Sequence, residues 1–305
     1  MNKILFFIRN PRNIGLGLLN HFGRFLSDKT YVSCQYYLCM GKRLNLKKPV
    51  TYNEKLNWIK LYNHNPLYTI LVDKYEVKKW IKEKIGEEYV IPTIGIWNKA
   101  EEIDWDNLPN QFVLKTTHGG GGDGVIVCKD KTKADKAKIM KIISKSLKTN
   151  PYIRSREWPY KNVIPRIIAE QYMEDAKTHE LRDYKFFAFN GEVKAMFIAS
   201  DRQKKGEDVK FDYFDADFNH LDLIQHHPMS GKKIEKPATF DKMKELASIL
   251  SRGIPEVRCD FYEVNEKVYF GEMTFVHHGG ITPFHPEAFD YEWGTWIHLP
   301  IENKK

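Results

Sequence analysis

The sequence has few cysteines and lacks any apolar run long enough to cross a bilayer. Its four cysteines, Cys34, Cys39, Cys128 and Cys259, form neither a CxxC pair nor a Cys/His zinc spacing. A disulfide framework and a structural zinc site are therefore not indicated. Residues 30–41 hold no charge and no histidine but are too few for a membrane span, and the apolar run 4–8 is too short for a secretory signal. We expect a soluble, cytoplasmic protein.

Length, hydrophobic content and net charge indicate how many lobes the chain can form and which kinds of partner it would attract. At 305 residues, with 42% hydrophobic and 13% aromatic content, the chain can form two or three closely packed lobes. Its net charge of +8 would attract polyanions such as nucleic acid, an anionic membrane face or acidic polysaccharide. Charge alone does not choose among them.

Hydrophobic periodicity predicts a helical start followed by mixed α and β structure. Residues 51–80 have the spacing of two helices separated at Asn65-Pro66, and Thr51 with Glu54 forms a capping box. Asn190-Gly191 suits a type I′ hairpin turn between strands 186–189 and 193–198. Residues 275–299 show no clear period and predict a loop-rich edge near the site. The other predicted strands are 89–91, 95–97, 112–114, 125–128 and 166–173, the predicted helices are 134–148 and 240–250, and a second hairpin covers 257–274.

A lysine followed by a glycine run gives the first chemical signal. Lys115 ends an apolar strand, and Gly119, Gly120, Gly121 and Gly122, then Gly124, lead into a second β-type run. Such a loop can lay backbone N–H groups over phosphate oxygens. The glycines formally satisfy GxGxxG, but a dinucleotide site needs a helix after them, and the catalytic motifs of protein kinases are missing. A flexible surface hairpin remains the alternative.

The hairpin at 257–274 gives the second signal. If residues 265–267 form a three-residue turn, Asp260 lies opposite Glu272 and Arg258 opposite Thr274. These four side chains then share one face, with paired Cβ atoms roughly 5 Å apart. Two facing carboxylates suit Mg²⁺, which takes one or two carboxylates together with phosphate oxygens and water. An edge hairpin with solvated acids, which a two-residue turn would favour, is the alternative.

Several separate stretches, in the right order, make the sequence resemble the ATP-grasp superfamily, and within it the teichuronopeptide-biosynthesis, or TupA-like, branch. The resemblance covers roughly residues 37–286. It implies an α+β ATP-grasp fold in which ATP is held between two α+β lobes, preceded by a mainly helical N-terminal region. The implied domains are 1–88, 89–168 and 169–305. The stretches that carry the resemblance are 44–46, 51–55, 72–75, 112–124, 168–172, 183–187 with 190–191, and 258–274.

The resemblance also implies roles for individual residues. Lys74 and Lys115 would contact the nucleotide phosphates, and the glycines would form a flap over them. Asp183 would hold the ribose, and Lys185 would add charge at the phosphates. Thr274 departs from the asparagine that many relatives use as a metal ligand. Adenine would be lined by Glu170, Gln171, Tyr172 and Met173, magnesium would be held by Asp260, Glu272 and Thr274, and the reacting groups would be steadied by Arg258 with Lys115.

The implied reaction is an ATP- and Mg²⁺-dependent ligation of a carboxylate and an amine through an acyl phosphate. We expect an amino acid or other amine to be joined to a carboxylate-bearing saccharide of a surface polysaccharide precursor. Transient contact with membrane-bound polysaccharide machinery, at the inner membrane face, fits that context. These substrates and partners rest on the family context alone.

Two other functions compete with the ligase. Asp215-Ala216-Asp217 is a DxD motif of the kind that binds a nucleotide sugar in glycosyltransferases, although a polar turn over residues 212–220 explains it better. A second competing function is nucleic-acid binding, in which bases would stack on Arg154, Arg156, Trp158 and Tyr160. An acceptor-binding loop or a connector between lobes suits these residues better. The remaining candidates are His277, His278 and His285, as metal ligands or, with a better fit, as part of a substrate-side loop that accepts a proton from the amine.

Overall fold

A computed structural model describes residues 11–120, 124–179, 181–200 and 209–300. The described part of the chain starts with helices, and no helix in it is long and apolar enough to cross a bilayer. Helix α3 begins with the predicted capping box, in which the Glu54 amide donates to the Thr51 hydroxyl over 3.2 Å. Such a cap stabilises a helix by about 1 kcal/mol. The five helices of this region are α1 (Pro11–Phe22), α2 (Asp28–Met40), α3 (Tyr52–Tyr62), α4 (Pro66–Val72) and α5 (Glu76–Lys84).

The first sheet has four antiparallel strands in the order β1-β4-β2-β3. Its buried side chains pack with helix α6 around a core that contains Phe112, Leu114 and Ile143. The strands are β1 (Thr93–Trp97), β2 (Phe112–Thr116), β3 (Val125–Cys128) and β4 (Ile167–Gln171), and helices α6 (Lys136–Leu147) and α7 (Pro151–Ser155) lie between β3 and β4.

The second sheet has six antiparallel strands in the order β10-β9-β5-β6-β7-β8. Its core is continuous with that of α3, α4 and α5, so the helical region packs on this sheet. The predicted domain limits stay predictions, although strand β4 spans the one at 168–169. The elements are β5 (Asp183–Phe189), β6 (Glu192–Ser200), β7 (Lys210–Asp215), β8 (His220–Leu221), α8 (Phe240–Leu250), β9 (Val257–Val264), β10 (Lys267–Thr274) and α9 (Ala288–Trp296).

Three local predictions were wrong. Residues 51–80 contain three helices, because the Asp73 carboxylate accepts the amides of Tyr75 and Glu76 and starts α5. The strand predicted at 89–91 is replaced by a 3-10 turn, Glu87–Tyr89, so the sheet starts at Thr93. The segment 275–299 is not all loop, since it contains α9, whose Trp293 is fully buried. Aromatic residues packed on several sides hide the helical period there.

The pairing of Asp260 with Glu272 in the β9–β10 hairpin was predicted correctly, but the length of the turn was not. The turn has two residues, Asn265 and Glu266, both with positive φ, and Lys267 already pairs with Val264. A register shift between Phe270 and Glu272 then leaves Gly271 as an extra residue. This β-bulge brings Glu272 opposite Asp260 and Thr274 opposite Arg258, as expected. The bulge has the same effect on the pairing as the longer turn would have had.

A buried carboxyl, Glu256, makes the stability of the fold depend on pH. It is 1% exposed and accepts the Tyr52 hydroxyl over 2.9 Å. Burial raises its pKa from 4.5 to about 8. Between these values the unfolded chain has lost the proton while the folded chain keeps it, so the wild type loses stability as the pH rises through this window.

We expect Glu256→Gln to remove this loss, because the amide does not titrate. Relative to the wild type, the melting temperature of the variant should rise by roughly 5 °C or more between about pH 5 and about pH 9. Thermal denaturation followed by circular dichroism measures it, with the exposed Glu235→Gln as a control that leaves the pH profile unchanged. Parallel profiles for the wild type and Glu256→Gln would contradict the prediction.

Candidate active site

The base of the glycine-rich loop is firmly packed. Thr116, Thr117 and His118 are each at most 2% exposed, and the His118 ring contacts the Thr149 carbonyl over 2.9 Å. Gly119 and Gly120 follow this base, and Gly124, with φ of 75°, opens β3. The loop therefore rises from a rigid support beside the site. Two of the predicted flap glycines, Gly121 and Gly122, lie outside the described residues.

Lys74 connects this loop to the second sheet. Its backbone amide donates to the Thr117 carbonyl over 2.9 Å, and its ammonium group donates to the Gly119 carbonyl. The same ammonium lies 3.5 Å from a carboxylate oxygen of Glu272. The predicted phosphate contact thus stands between the glycine loop and the predicted magnesium ligands.

Lys115 shares a buried carboxylate with a lysine that the sequence analysis missed. Glu170, 4% exposed, lies 2.5 Å from the Lys115 ammonium and 2.6 Å from that of Lys78. Burial alone would raise the pKa of Glu170, but the two lysines hold it below its usual value. One anion between two cations leaves a positive excess on this side of the site. Lys78 follows the predicted phosphate-binding residue Lys74 by four positions, which is about one helical turn. This spacing could have indicated Lys78 as a further residue of the site.

The chain that leaves β4 carries the residues expected to line adenine. Gln171 and Met173 border a cavity of about 920 Å³ that is also lined by Lys78 and Ile91. Tyr172 does not line this cavity, and its hydroxyl donates to Glu174. The Glu170 side chain lies at the lysines, so any contact of this strand with a base would come from its backbone and from the neighbours on either side of Tyr172.

Lys185 lies on β5 between two carboxylates. Its ammonium is paired with Asp260 and lies 3.5 Å from Asp183. Burial lowers the pKa of Lys185, and Asp260 opposes that effect. Asp183, predicted to hold a ribose, is 3% exposed, so the structure places it beneath this lysine.

Arg258 is the centre of the second-sheet face. Its guanidinium donates to both oxygens of Asp260, over 2.7 and 2.8 Å, and to the Thr274 hydroxyl over 3.0 Å. Burial alone would lower the pKa of Arg258, but the nearby carboxylates of Asp260 and Glu272 raise it above its usual range. A planar guanidinium gripped at two points keeps one orientation.

Glu272 is the partly exposed carboxylate of this face, and the donor set around it fits magnesium. Burial would raise its pKa, but Lys74, Lys185 and Arg258 lower it to about 2, so the side chain is a carboxylate at any physiological pH. With Asp260 and the Thr274 hydroxyl it offers hard oxygen donors on one side of the hairpin. Two carboxylates leave positions for phosphate oxygens and water, as Mg²⁺ requires.

His277 lies behind the arginine as a neutral acceptor. Its Nε2 donates to the Gln225 side-chain oxygen over 3.0 Å, which leaves Nδ1 to accept from Arg258 over 2.8 Å. Burial lowers the pKa of His277 well below its usual value. The geometry thus gives His277 a positioning contact with Arg258. The sequence analysis considered His277 as a metal ligand or loop residue and did not single out Gln225.

Polar residues on one face of α3 hold the loop 277–280, and the sequence analysis missed them as well. Asn57 donates to the Gly280 carbonyl and Lys60 to the Gly279 carbonyl, each over 2.6 Å. His278 in this loop has φ of 47°, a left-handed conformation that costs energy in a residue other than glycine. Asn53, Asn57 and Lys60 repeat at helical spacing on an otherwise apolar face, and this pattern could have indicated their role from the sequence.

A cavity of about 620 Å³ joins these parts. Glu272, Thr274 and Arg258 form one wall, and Gly119 with Gly120 borders another. His278 lines it, whereas His285 takes part in a backbone bridge to Ile224. The remaining wall comes from the segment between α6 and the 3-10 turn Trp158–Tyr160, namely Ser146, Lys148, Thr149, Asn150, Pro151, Ile153, Arg154, Ser155, Glu157 and Tyr160.

The motifs behind the competing functions lie elsewhere or are occupied. Asp215 accepts the amides of Asp217 and Asn219 at the β7–β8 turn, as a polar turn does, and it borders neither cavity. Arg156 is buried over the Tyr31 ring, and Trp158 stacks on a histidine. These side chains do not form a stacking surface for bases.

Two lobes, each with its own sheet, surround these residues, and the comparison with family models identifies the family to which the chain belongs. The model described as TupA-like ATPgrasp matches residues 54–298. The chain therefore belongs to the TupA-like ATP-grasp family, a class whose cofactors are ATP and Mg²⁺. None of the curated proteins compared matches the chain.

The solved structures to which the chain is similar are distant. A D-alanine-D-alanine ligase from Helicobacter pylori is 14% identical with a TM-score of 0.43, over 76% of this chain and 59% of that one. D-cycloserine synthetase DcsG is 14% identical with a TM-score of 0.42, over 75% and 71%. The ATP-grasp ligase PsnB, in complex with its minimal precursor, Mg and ADP, is 11% identical with a TM-score of 0.40, over 73% and 58%. The chain thus spans less than two thirds of the first of these ligases.

Lys78 gives a test of the charge arrangement. Lys78→Met should weaken binding of MgATP by about tenfold, because Glu170 would then neutralise Lys115 alone and the positive excess would be lost. Isothermal titration calorimetry measures the affinity. The matched control is Lys84→Met, which removes the same charge from an exposed position of α5 that borders neither cavity and should leave the affinity unchanged. Equal affinities for the two variants would refute this account of Glu170.

Proposed function

We propose that the protein is an ATP- and Mg²⁺-dependent carboxylate–amine ligase that acts through an acyl phosphate. The observation that carries the proposal is the shared face of Arg258, Asp260, Glu272 and Thr274. On this face Glu272 lies 3.5 Å from the Lys74 ammonium, and Arg258, Glu272 and Thr274 border the same cavity as the start of the glycine loop. A substrate carboxylate would attack the γ-phosphate of ATP, and an amine would then displace phosphate from the acyl phosphate to form an amide.

Each side chain has a task of binding or charge neutralisation. Asp260, Glu272 and Thr274 would hold magnesium, which when bound offsets the charge of the triphosphate. Lys74, Lys115 and Lys185 would contact phosphate oxygens. The guanidinium of Arg258 is fixed on one side by Asp260, so its remaining face is aimed at developing oxyanion charge.

The 620 Å³ cavity is the place for the amine, and Glu157 is the group suited to receive it. Glu157 lines the cavity with Arg258 and has no ion pair with any described residue. Burial raises its pKa, while Lys60 and Arg258 oppose the change. A carboxylate with a raised pKa can bind an ammonium group and take one proton from it, which leaves the neutral amine that attacks.

The second substrate belongs to the same proposal. Arg154 and Lys148 add positive charge to the rim of the cavity, and neither has a carboxylate partner among the described residues. We infer that they face an anionic acceptor such as a carboxylate-bearing saccharide of a surface polysaccharide, met at the cytoplasmic face of the membrane. The family context supports this choice of acceptor.

The first test is magnesium-dependent ATP turnover with pooled amino acids and uronic acids. Glu272→Gln should reduce turnover by at least about a hundredfold, because it removes the exposed carboxylate of the metal face while keeping its shape. Glu266→Gln, at the turn of the same hairpin, is the matched control and should keep full activity. Release of ADP and phosphate, measured by chromatography, gives the rates.

The opposite result would point to the transferase. Binding of a nucleotide sugar that survives Glu272→Gln and disappears in Asp215→Asn, without any turnover of ATP, would overturn the ligase assignment. Circular dichroism of each variant confirms that the fold is retained.

Glu157 is tested by separating the two half-reactions. Hydroxylamine is a neutral nucleophile near pH 7 and can trap an acyl phosphate without a base. Glu157→Gln should therefore keep ATP-dependent hydroxamate formation but lose amide formation by roughly a hundredfold or more. Mass spectrometry of both products measures this split, and Glu263→Gln, remote from the cavity, is the control. Parallel loss of both products would show that Glu157 acts before the amine arrives.

A further inference from the structure

The entire net charge of the protein lies in its first 50 residues. They contain nine of the 48 lysines and arginines but only one of the 40 acidic residues, Asp28, while the rest of the chain holds 39 of each. That single carboxylate is already engaged, since it accepts the Tyr152 hydroxyl and lies 3.5 Å from Arg156. Among the lysines and arginines of residues 12–50, only Lys42 forms an ion pair with a described residue, Glu287, so the region keeps a positive excess.

The same region exposes apolar side chains in a continuous row. Ile14, Leu18 and Phe22 follow one another at every fourth position of α1 and are 41%, 55% and 59% exposed. Phe25 and Leu26, just after the helix, are 77% and 40% exposed. Phe25 has the highest exposure of the large apolar side chains described in the structure. We call these five residues the apolar row.

The apolar row is not needed to hold α1 on the protein. Helix α1 packs on α2 through a neighbouring face, where Leu19 is buried and a Cβ on Gly15 would come within 2.7 Å of Leu38. Gly23 continues that face, since a Cβ there would lie 2.5 Å from the Tyr31 ring. The helix thus has one apolar face for α2 and a second that is exposed with respect to the part of the chain that the structure describes.

Basic side chains accompany the row. The Arg24 guanidinium lies 4.6 Å from the centre of the Phe25 ring, and Lys29, the second residue of α2, is exposed. Neither has a carboxylate partner within the part of the chain that the structure describes. Exposed aromatic and aliphatic groups beside unpaired cations are the features of helices that lie in the interface of an anionic bilayer.

We propose that the apolar row of α1, with Arg24 and Lys29, is a docking surface for an anionic lipid bilayer. Apolar side chains enter the headgroup region while the cations meet lipid phosphates. A second copy of the chain is a poorer occupant, since two such surfaces would bring uncompensated positive charge together. This inference does not rest on the ligase assignment, because the surface is separate from the candidate active site.

Docking there would also place the cavity close to the membrane. Helix α2 packs against α1 and holds α7, since Tyr31 and Gln35 both donate to the Arg154 carbonyl, over 2.8 and 3.2 Å. The Arg154 side chain lines the 620 Å³ cavity. An acceptor carried by a lipid could therefore reach the cavity from the surface to which the protein is bound.

The experiment is co-sedimentation of the full-length protein with vesicles of phosphatidylcholine alone or mixed in equal parts with phosphatidylglycerol. Binding is expected only to the anionic vesicles. Phe22→Ser/Phe25→Ser and Arg24→Glu/Lys29→Glu should each weaken it by about tenfold or more. The matched controls, Ile164→Ser and Lys138→Glu/Lys141→Glu, remove exposed apolar surface and positive charge elsewhere and should bind as the wild type does.

Two results would overturn the proposal. One is the absence of binding to the anionic vesicles, or binding that is equal for the wild type and both N-terminal variants. The other is a dimer, detected by light scattering, that Phe22→Ser/Phe25→Ser dissociates, which would make a second copy the occupant. MgATP affinity measured without vesicles should be the same for all variants, so a failure here is distinguishable from a failure of the ligase assignment.

Discussion

Arg258 and Asp260 form a two-point ion pair almost excluded from water, and the surrounding residues are arranged to keep it charged and oriented. Breaking a buried pair by removing one partner is costly, because the other charge is left without solvent. Lys185 satisfies the second side of Asp260, and His277 satisfies the remaining nitrogen of Arg258. Glu272 can then stay exposed to the cavity, since the buried charges behind it are already matched.

Charges are also paired around Glu170, on the first sheet. Glu170 holds Lys78 and Lys115 together, and Lys74 bridges from the glycine loop to Glu272. The two lysines keep a positive excess over Glu170, while Glu272 presents a carboxylate to the 620 Å³ cavity. Under the proposed function, a triphosphate with a divalent cation would complement both groups of charges at once.

Much of this arrangement could be predicted from the sequence, and the parts that could not share a cause. Most of the strands, the capping box at Thr51 and the pairing of Asp260 with Glu272 follow from local periodicity and from the resemblance to a family, whereas β7 and β8 were not predicted. The interactions of Lys78, Gln225 and the polar face of α3 could not be predicted, because each contacts a partner more than 50 residues away. A local sequence pattern does not reveal such long-range contacts. The bulge at Gly271 shows a further limit, because turn length and bulge have interchangeable effects on register.

The contacts of α3 also have a consequence for the order in which the molecule can form. Asn53 meets Asp290 across 237 positions of sequence, and Asn57 meets Gly280 across 223. Contacts between such distant positions carry the largest loop-closure cost and form late. During synthesis the first sheet has all its strands long before residues 277–297 emerge, so the wall of the cavity is completed only when the two ends of the chain meet. Until then, Lys60 lacks the carbonyl partner that accompanies its burial.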